Sequence, residues 1–444
     1  MTAVYALVTF IAVIVIWNTV FKRNIAEAMF VGFVASCLFA GTDFFSAFAT
    51  GLKDGMQNEV TFAALAFVVV GDILTRAGIV QRIVDVLSSM LGRRRGGSIY
   101  AATVGSGLFG AVAHNGAATA ATIGAITIPW IKRSKASGET AAVVLGGNAG
   151  VGAVFPFSGA YFLMLAAPTV TGVLNPDDMV FTAFVAALWM VASRIVIAAV
   201  LIRRRDVAAM DPDDVKPLRY TVSRGWSSLV VLAAVAIPIV ATSGTMVASM
   251  VGADAADAIP VLVWLPVAML LPGLVVGRRS LPRTASGWWE QLGRSGPKLG
   301  LVGVTMVSAF SAGEVVSNLG LSEQLTPLLE RLSSVPAWLV ILLVGLIVIV
   351  VAGPLSTTAT LAAVGGVAFA ALTAVGVPGP MAFAALLVWA ASESASPPGA
   401  APLYVAAGIA NIDPVRTFVP VIAYYLVPTF LLGVLLALGV AWVP

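Results

Sequence analysis

Apolar positions run along this chain in long uninterrupted blocks. The clearest are residues 3–21, 26–41, 178–202, 227–249, 259–277, 335–352 and 416–442. A helix needs about 20 apolar residues to cross a bilayer. An open sheet cannot satisfy its backbone in lipid, so these blocks predict membrane-spanning helices. Two stretches follow another period. IVQRIVDVLSSML (79–91) and LSEQLTPLLERL (321–332) place apolar residues three or four apart with charge between, which predicts amphipathic helices lying along the membrane or packed within the protein. Four polar interruptions cut the remaining apolar sequence: 113–119, 147–159, 353–360 and 392–399. Glycine, proline and hydroxyl residues in them predict broken helices.

The interruptions repeat. GDILTRAGIVQRIVDVL, from Gly71, is answered by GEVVSNLGLSEQLTPLL, from Gly313. Gly71 pairs with Gly313, Asp72 with Glu314, Thr75 with Ser317 and Gly78 with Gly320, at one offset (313 − 71 = 242). The acid pair predicts a shared structural task such as helix capping. At about that offset AHNGAAT answers GPLSTTAT, and GNAGVGAVFPFSG answers SESASPPG. The opening helix of the first half ends at Lys22–Arg23, and that of the second half follows Arg224. If both basic sites are cytoplasmic, the halves have opposite topology. Inverted repeats with helices broken at matching positions belong to secondary transporters, whose sites lie where the breaks meet.

Composition sharpens the class. Of 444 residues, 59% are hydrophobic and 10% charged, and the mean hydropathy is +0.99. Soluble chains carry roughly 25% charged residues. The net charge of +4 fits basic cytoplasmic loops rather than nucleic acid. The N-terminal apolar block reads as a retained helix. The expected division is 1–54 N-terminal scaffold helices, 55–203 first repeat, 204–225 polar connector, 226–296 scaffold helices of the second repeat, and 297–444 its transport part.

One Cys and one His make no zinc cluster, and neither a phosphate loop nor an HExxH motif is present. No cofactor and no transition metal are expected. The breaks supply hard oxygen ligands for a hard cation and half-helix N-termini for an anion. The first half offers Asn115, Thr119, Thr122, Asn148 and Ser158, and the second Ser356, Thr357, Thr358, Thr360, Ser392, Ser394 and Ser396. Glu393 is a carboxylate at membrane depth, either an ion- or proton-coupling group or a cap. His114 sits on a break tip, with a structural role or a proton-coupling one. Arg194 lies inside a span, where it would snorkel or pair with an acid.

AHNGAATAATIGAITIPWIKRS, GNAGVGAVFPFSGAYFLM, GPLSTTATLAAVGG and SPPGAAPLYVAAGIANIDPVRT together resemble the large membrane subunit of TRAP (tripartite ATP-independent periplasmic) transporters, over roughly residues 55–442. The resemblance implies an all-α polytopic protein of the bacterial inner membrane. It would have inverted repeats, helical hairpins and a transport domain moving as an elevator against a scaffold. It implies sodium-coupled import of an organic acid delivered by a periplasmic binding protein, with a small membrane subunit as further partner, and no enzymatic activity. Carried over by position, sodium ligands would be Asn115, Gly116, Gly150 and Gly152, with Ser356, Thr357, Ser394 and Pro397. The substrate would lie between the two sets, against Thr119, Asn148, Ser158, Thr358 and Ser396. The first loop reads AHNG where the family has glycine and small hydroxyls, and the second has a single proline, so a four-carbon dicarboxylate is not assumed. A stand-alone sodium- or proton-coupled carrier of organic anions is the alternative. An intramembrane enzyme is a distant one, since no Ser–His dyad or paired aspartates stand out.

Overall fold

The computed structural model describes residues 1–210, 213, 215–228, 230, 261–332, 334–397 and 399–444. Most of the expected 227–249 span lies outside the described residues, as do parts of the 204–225 connector and Pro398. Among the described residues the regular structure is helical, and six helices are long and apolar enough to cross a membrane.

The first half runs α1 (Thr2–Thr19), α2 (Ile25–Cys37), α3 (Phe44–Gln57), α4 (Glu59–Arg76), α5 (Ile79–Leu91), α6 (Gly97–Ala113), α7 (Gly116–Arg133), α8 (Gly138–Asn148), α9 (Gly159–Leu165) and α10 (Pro176–Arg204). The second runs α11 (Val261–Gly277), α12 (Ala285–Asn318), α13 (Leu321–Leu332), α14 (Ala337–Ala352), α15 (Thr357–Ala374), α16 (Gly379–Ala390), α17 (Ala401–Ala410) and α18 (Pro414–Ala437). From α4 and α12 onward the two series correspond one for one. The 242-residue offset separates the starts of α5 and α13 (321 − 79) and of α9 and α17 (401 − 159). It also separates two short 3₁₀ segments, Ala149–Ala153 after α8 and Ala391–Ala395 after α16.

Local chemistry sets the ends. Asn24 and Glu27 cap α2 reciprocally: the Glu27 N–H donates to Asn24 Oδ1 and Asn24 Nδ2 to Glu27 Oε1, both at 2.9 Å. α10 begins with the Asn175 cap, Pro176 and two aspartates, and ends on Arg203 and Arg204, matching the helix dipole at both ends. Its 29 residues reach about 44 Å at 1.5 Å per residue, enough to cross a tilted 30 Å core. Gly78 (φ 68°) and Gly320 (φ 84°) turn the chain into α5 and α13 through the left-handed region, which explains that glycine pair.

The expected symmetry of Asp72 and Glu314 does not hold. Asp72 Oδ2 accepts from Arg76 Nε at 3.1 Å, Gln291 Nε2 at 2.6 Å and Ser295 Oγ at 2.7 Å, tying α4 to the start of α12. Among the described residues Glu314 accepts only from Asn318, one turn along its own helix. α5 packs inward through Val84, which shares a cluster with Ile99, Ala102 and Phe109 of α6.

α12 packs along α2, α3 and α4, and α1 along α2. α17 packs between α7 and α8, and α16 against α18. A small apolar cavity lies where α1, α2 and α12 (Phe10, Met29, Ala309) face Leu163, Pro168 and Leu361.

Candidate functional site

Each break is built from its neighbours in sequence and then joined to another break. α6 stops at His114, which takes a left-handed conformation (φ 48°) while its N–H donates to the Gly110 carbonyl at 2.8 Å. Asn115 then restarts the chain as the cap of α7, its Oδ1 accepting from the Ala118 N–H at 2.8 Å. Thr119 returns its hydroxyl to the Asn115 carbonyl at 2.8 Å. At the second break α8 tightens into the 3₁₀ segment. Phe157 turns at φ 69°, a strained value for an aromatic residue, held by stacking on Phe67 of α4 with centroids 3.9 Å apart. Ser158 caps α9, accepting from the Tyr161 N–H at 3.0 Å and donating to the Ala153 carbonyl at 2.8 Å.

The second half repeats the plan. Ser356 caps α15, its Oγ accepting from the Ala359 N–H at 3.2 Å and lying 3.1 Å from Thr358 Oγ1. A π-helical turn at Leu361–Gly365 follows, and the Thr169 hydroxyl donates to the Gly366 carbonyl just beyond it at 2.7 Å. α16 tightens into its 3₁₀ segment. Ser394 donates to the Ala391 carbonyl at 3.4 Å and Ser396 to the Ser392 carbonyl at 2.9 Å. Half-buried Pro397 follows.

The four breaks converge. Gly110 and Gly152 touch backbone to backbone, so that a methyl group on Gly110 would sit 2.7 Å from the Gly152 α-carbon. His114 Nδ1 lies 3.4 Å from the Gly152 carbonyl oxygen, a long contact across the same seam. Gly150 abuts the second half, and a methyl there would overlap the Ala391 carbonyl oxygen and come within 2.5 Å of Ser394 Oγ. A methyl on Gly116 would lie 3.0 Å from Pro402, and one on Gly159 would lie 3.2 Å from Thr358. Gly399 presses on the Gly353 carbonyl. Glu393 closes the second half: its Oε2 accepts the Thr357 N–H at 2.8 Å and the Thr357 hydroxyl at 2.7 Å. The carboxylate reaches from the fourth break to cap the helix that starts at the third.

The contacts above bring residues of all four breaks together, whereas Thr122 lies exposed within α7, beyond the break. The break residues differ in what remains free. Thr119, Ser158 and Ser396 have committed their hydroxyl hydrogens to nearby carbonyls. Asn115 and Ser356 are exposed at the break tips. Asn148 is buried; its Nδ2 donates to Thr103 Oγ1 at 3.0 Å while its Oδ1 has no partner. Ser106 Oγ, Thr360 Oγ1 and Ser392 Oγ are buried without a partner as well. A buried oxygen left unpaired costs about 1–3 kcal/mol, so these oxygens, in or beside the breaks, are where a ligand would lower the energy most. Ser106 was not foreseen, because it sits mid-helix in α6 and only the fold brings that helix face to Asn148.

Arg194 does not snorkel, and among the described residues it meets no acid. It is 1% exposed, donates to Thr429 Oγ1 at 2.8 Å and to the Tyr425 carbonyl at 3.4 Å, and lies over the Tyr425 ring. That ring packs flat against Gly147, directly behind the second break.

The sequence model of the tripartite ATP-independent periplasmic transporter DctM component matches residues 4–442. Among curated proteins, the chain is similar to the C4-dicarboxylate TRAP transporter large permease protein DctM of Rhodobacter capsulatus, with 27% identity over 143 residues. That match spans about a third of either protein, 32% of each. Among solved structures, it is similar in fold to the YdaH transporter of Alcanivorax borkumensis, described as having an unusual topology. The TM-score is 0.61 and the identity 16%, over 91% of this chain and 89% of that one.

Proposed function

Since the chain belongs to the family of the DctM component of tripartite ATP-independent periplasmic transporters, a multi-pass permease of the bacterial inner membrane, we propose that it imports an organic acid in symport with sodium. The acid would be received from a periplasmic binding protein, with a small membrane subunit completing the complex. The C4-dicarboxylate named for the Rhodobacter capsulatus relative is one substrate class within this reading.

The observation that carries the reading is the set of buried oxygens, in or beside the converging breaks, that have no partner among the described residues: Ser106, Asn148, Thr360 and Ser392. Sodium takes hard oxygen ligands, and hydroxyls, an amide oxygen and carbonyls freed by broken helices are that kind. The first-half ion would use Asn148 with carbonyls of Asn115, Gly116, Gly150 and Gly152. The second-half ion would use Thr360 and Ser392 with Ser356, Thr357, Ser394 and Pro397. The substrate would sit at the seam where Gly159 meets Thr358. Binding at a site built from both halves couples ion and solute, because filling the oxygens completes the walls that the solute touches. The breaks would travel together, with the apolar seam at Phe10, Met29 and Leu361 as part of the sliding surface.

The test is uptake of labelled organic acids into proteoliposomes holding this chain, its small partner and a loaded binding protein. Runs with and without an inward sodium gradient are compared. Uptake requiring both sodium and the binding protein is the expected result. Sodium-driven uptake without the binding protein would point to a stand-alone symporter, and uptake driven by a proton gradient alone would overturn the sodium sites.

A further inference from the structure

Four half-helices start at the breaks, at Gly116, Gly159, Thr357 and Ala401. Neutral side chains cap the first three: Asn115, Ser158 and Ser356. Among the described residues, the helix Thr357–Ala374 alone also has a carboxyl group at its start, and that group belongs to another break. Glu393 Oε2 takes both the Thr357 N–H and the Thr357 hydroxyl. Among the described residues its second oxygen, Oε1, accepts no hydrogen bond, and Glu393 itself is only half-buried. Pro354, Ser356 and Gly399, in the same two breaks, are exposed, and Gly399 packs on Gly353 and Pro354. Thr358, next along the helix, faces Gly159 at the start of α9. Glu393 therefore lies beside the seam between the two halves with one carboxyl oxygen uncommitted among the described residues.

We propose that Glu393 sets the charge class of the substrate. It directs the site to organic acids with a single carboxylate and a hydroxyl or ammonium donor, and away from dicarboxylates. This rests on the organic-acid reading above and adds the class. The reasoning is one of occupancy and sign. The donors of Thr357 are what a second substrate carboxylate would seek at a helix start, and the protein's own carboxylate already holds them. A second substrate carboxylate would also meet the charge on Oε1 in a partly desolvated place, where like charges repel far more than in water. A hydroxyl or ammonium group finds there an acceptor with nothing else to bond. Discrimination against an incoming group by repulsion is commonly as effective as added attraction toward the preferred one.

The experiment uses the complete transporter in proteoliposomes with an inward sodium gradient. Initial uptake is measured for matched pairs that exchange a hydrogen for a second carboxylate: propionate against succinate, and lactate against malate. The same pairs are run with Glu393→Gln, which keeps an acceptor for Thr357 but removes the charge, and with Glu393→Asp, which keeps the charge. The wild type is expected to favour lactate over malate by at least about tenfold. Glu393→Gln should move that ratio toward the dicarboxylate by a similar factor, with sodium dependence retained, and Glu393→Asp should keep the wild-type order. Preference of the wild type for malate or succinate would overturn the inference while leaving sodium-driven organic-acid import intact. So would a ratio unmoved in a Glu393→Gln protein whose melting profile matches wild type. Absence of sodium-driven uptake for every acid would remove the parent reading and the inference with it.

Discussion

Arg194 and Gly150 show how much single side chains decide here. Arg194 buries a guanidinium in a span, and among the described residues no carboxylate pairs with it. Its Nε has no hydrogen-bond partner among the described residues. An uncompensated buried charge is costly, and an apolar replacement of similar shape is commonly neutral or stabilising. Thr429 keeps its own bond to the Tyr425 carbonyl at 2.6 Å, so removal of the arginine strands no hydroxyl. Arg194→Met is therefore expected to melt at or above the wild-type temperature in detergent. A loss of about 2 kcal/mol or more would mean that the guanidinium is holding α10 to α18. Gly150→Ala has the opposite sign. The added methyl would run into the Ala391 carbonyl, which is backbone and cannot rotate away. A destabilisation of about 1–3 kcal/mol is expected in a thermal melt, with loss of sodium-driven uptake, because the two central breaks are forced apart. Both residues stood out in the sequence, yet neither outcome could be argued from it. Arginine within an apolar run suggests snorkelling or a partner acid, and Gly150, a candidate sodium ligand in a loop that allows close approach, does not say which backbone comes close.

Helix ends were the most legible elements. α5 and α13 occupy the two amphipathic stretches, and the breaks fall within the four polar interruptions. These features follow from local rules: periodicity, side-chain capping, and glycine where φ is positive. Gly78→Ala and Gly320→Ala should each cost about 1–2 kcal/mol, since alanine pays a left-handed penalty at either turn. Parallel losses in the two melts would reflect the matched geometry, and a loss at one site only would break it. Asn115→Ala should lose about 1 kcal/mol with its cap on Ala118. The partners of Asp72 were less legible. Asp72 and Glu314 align in sequence, but Gln291 and Ser295 of α12 reach only the first of them.

At the level of the whole molecule, the sodium reading makes a prediction about stability. If sodium binds the unpartnered oxygens, added sodium should raise the melting temperature, with about 2.7 kcal/mol of stabilisation at a hundredfold excess over Kd. Ser392→Ala removes one stranded hydroxyl, so it should melt no lower than wild type without sodium and gain less when sodium is added. An unchanged sodium shift in both Ser392→Ala and Asn148→Ala would sink the assignment of these oxygens. The helical class, the break positions, the two-fold repeat and the spans near 3–21, 26–41, 178–202 and 416–442 were determined by the sequence alone, because each rests on composition or on spacing within a few turns of helix; the long helices Ala285–Asn318 and Thr357–Ala374 were not among the expected spans, because glycine and polar residues interrupt their apolar runs. The meeting of Gly150 with Ala391, of Asn148 with Thr103, and of Glu393 with Thr357 was decided only by tertiary structure. Those partners lie tens to hundreds of residues apart, and helix periodicity carries no information about which neighbour a helix will face. Which buried oxygens find a partner, and which are left open for a ligand, follows from that packing.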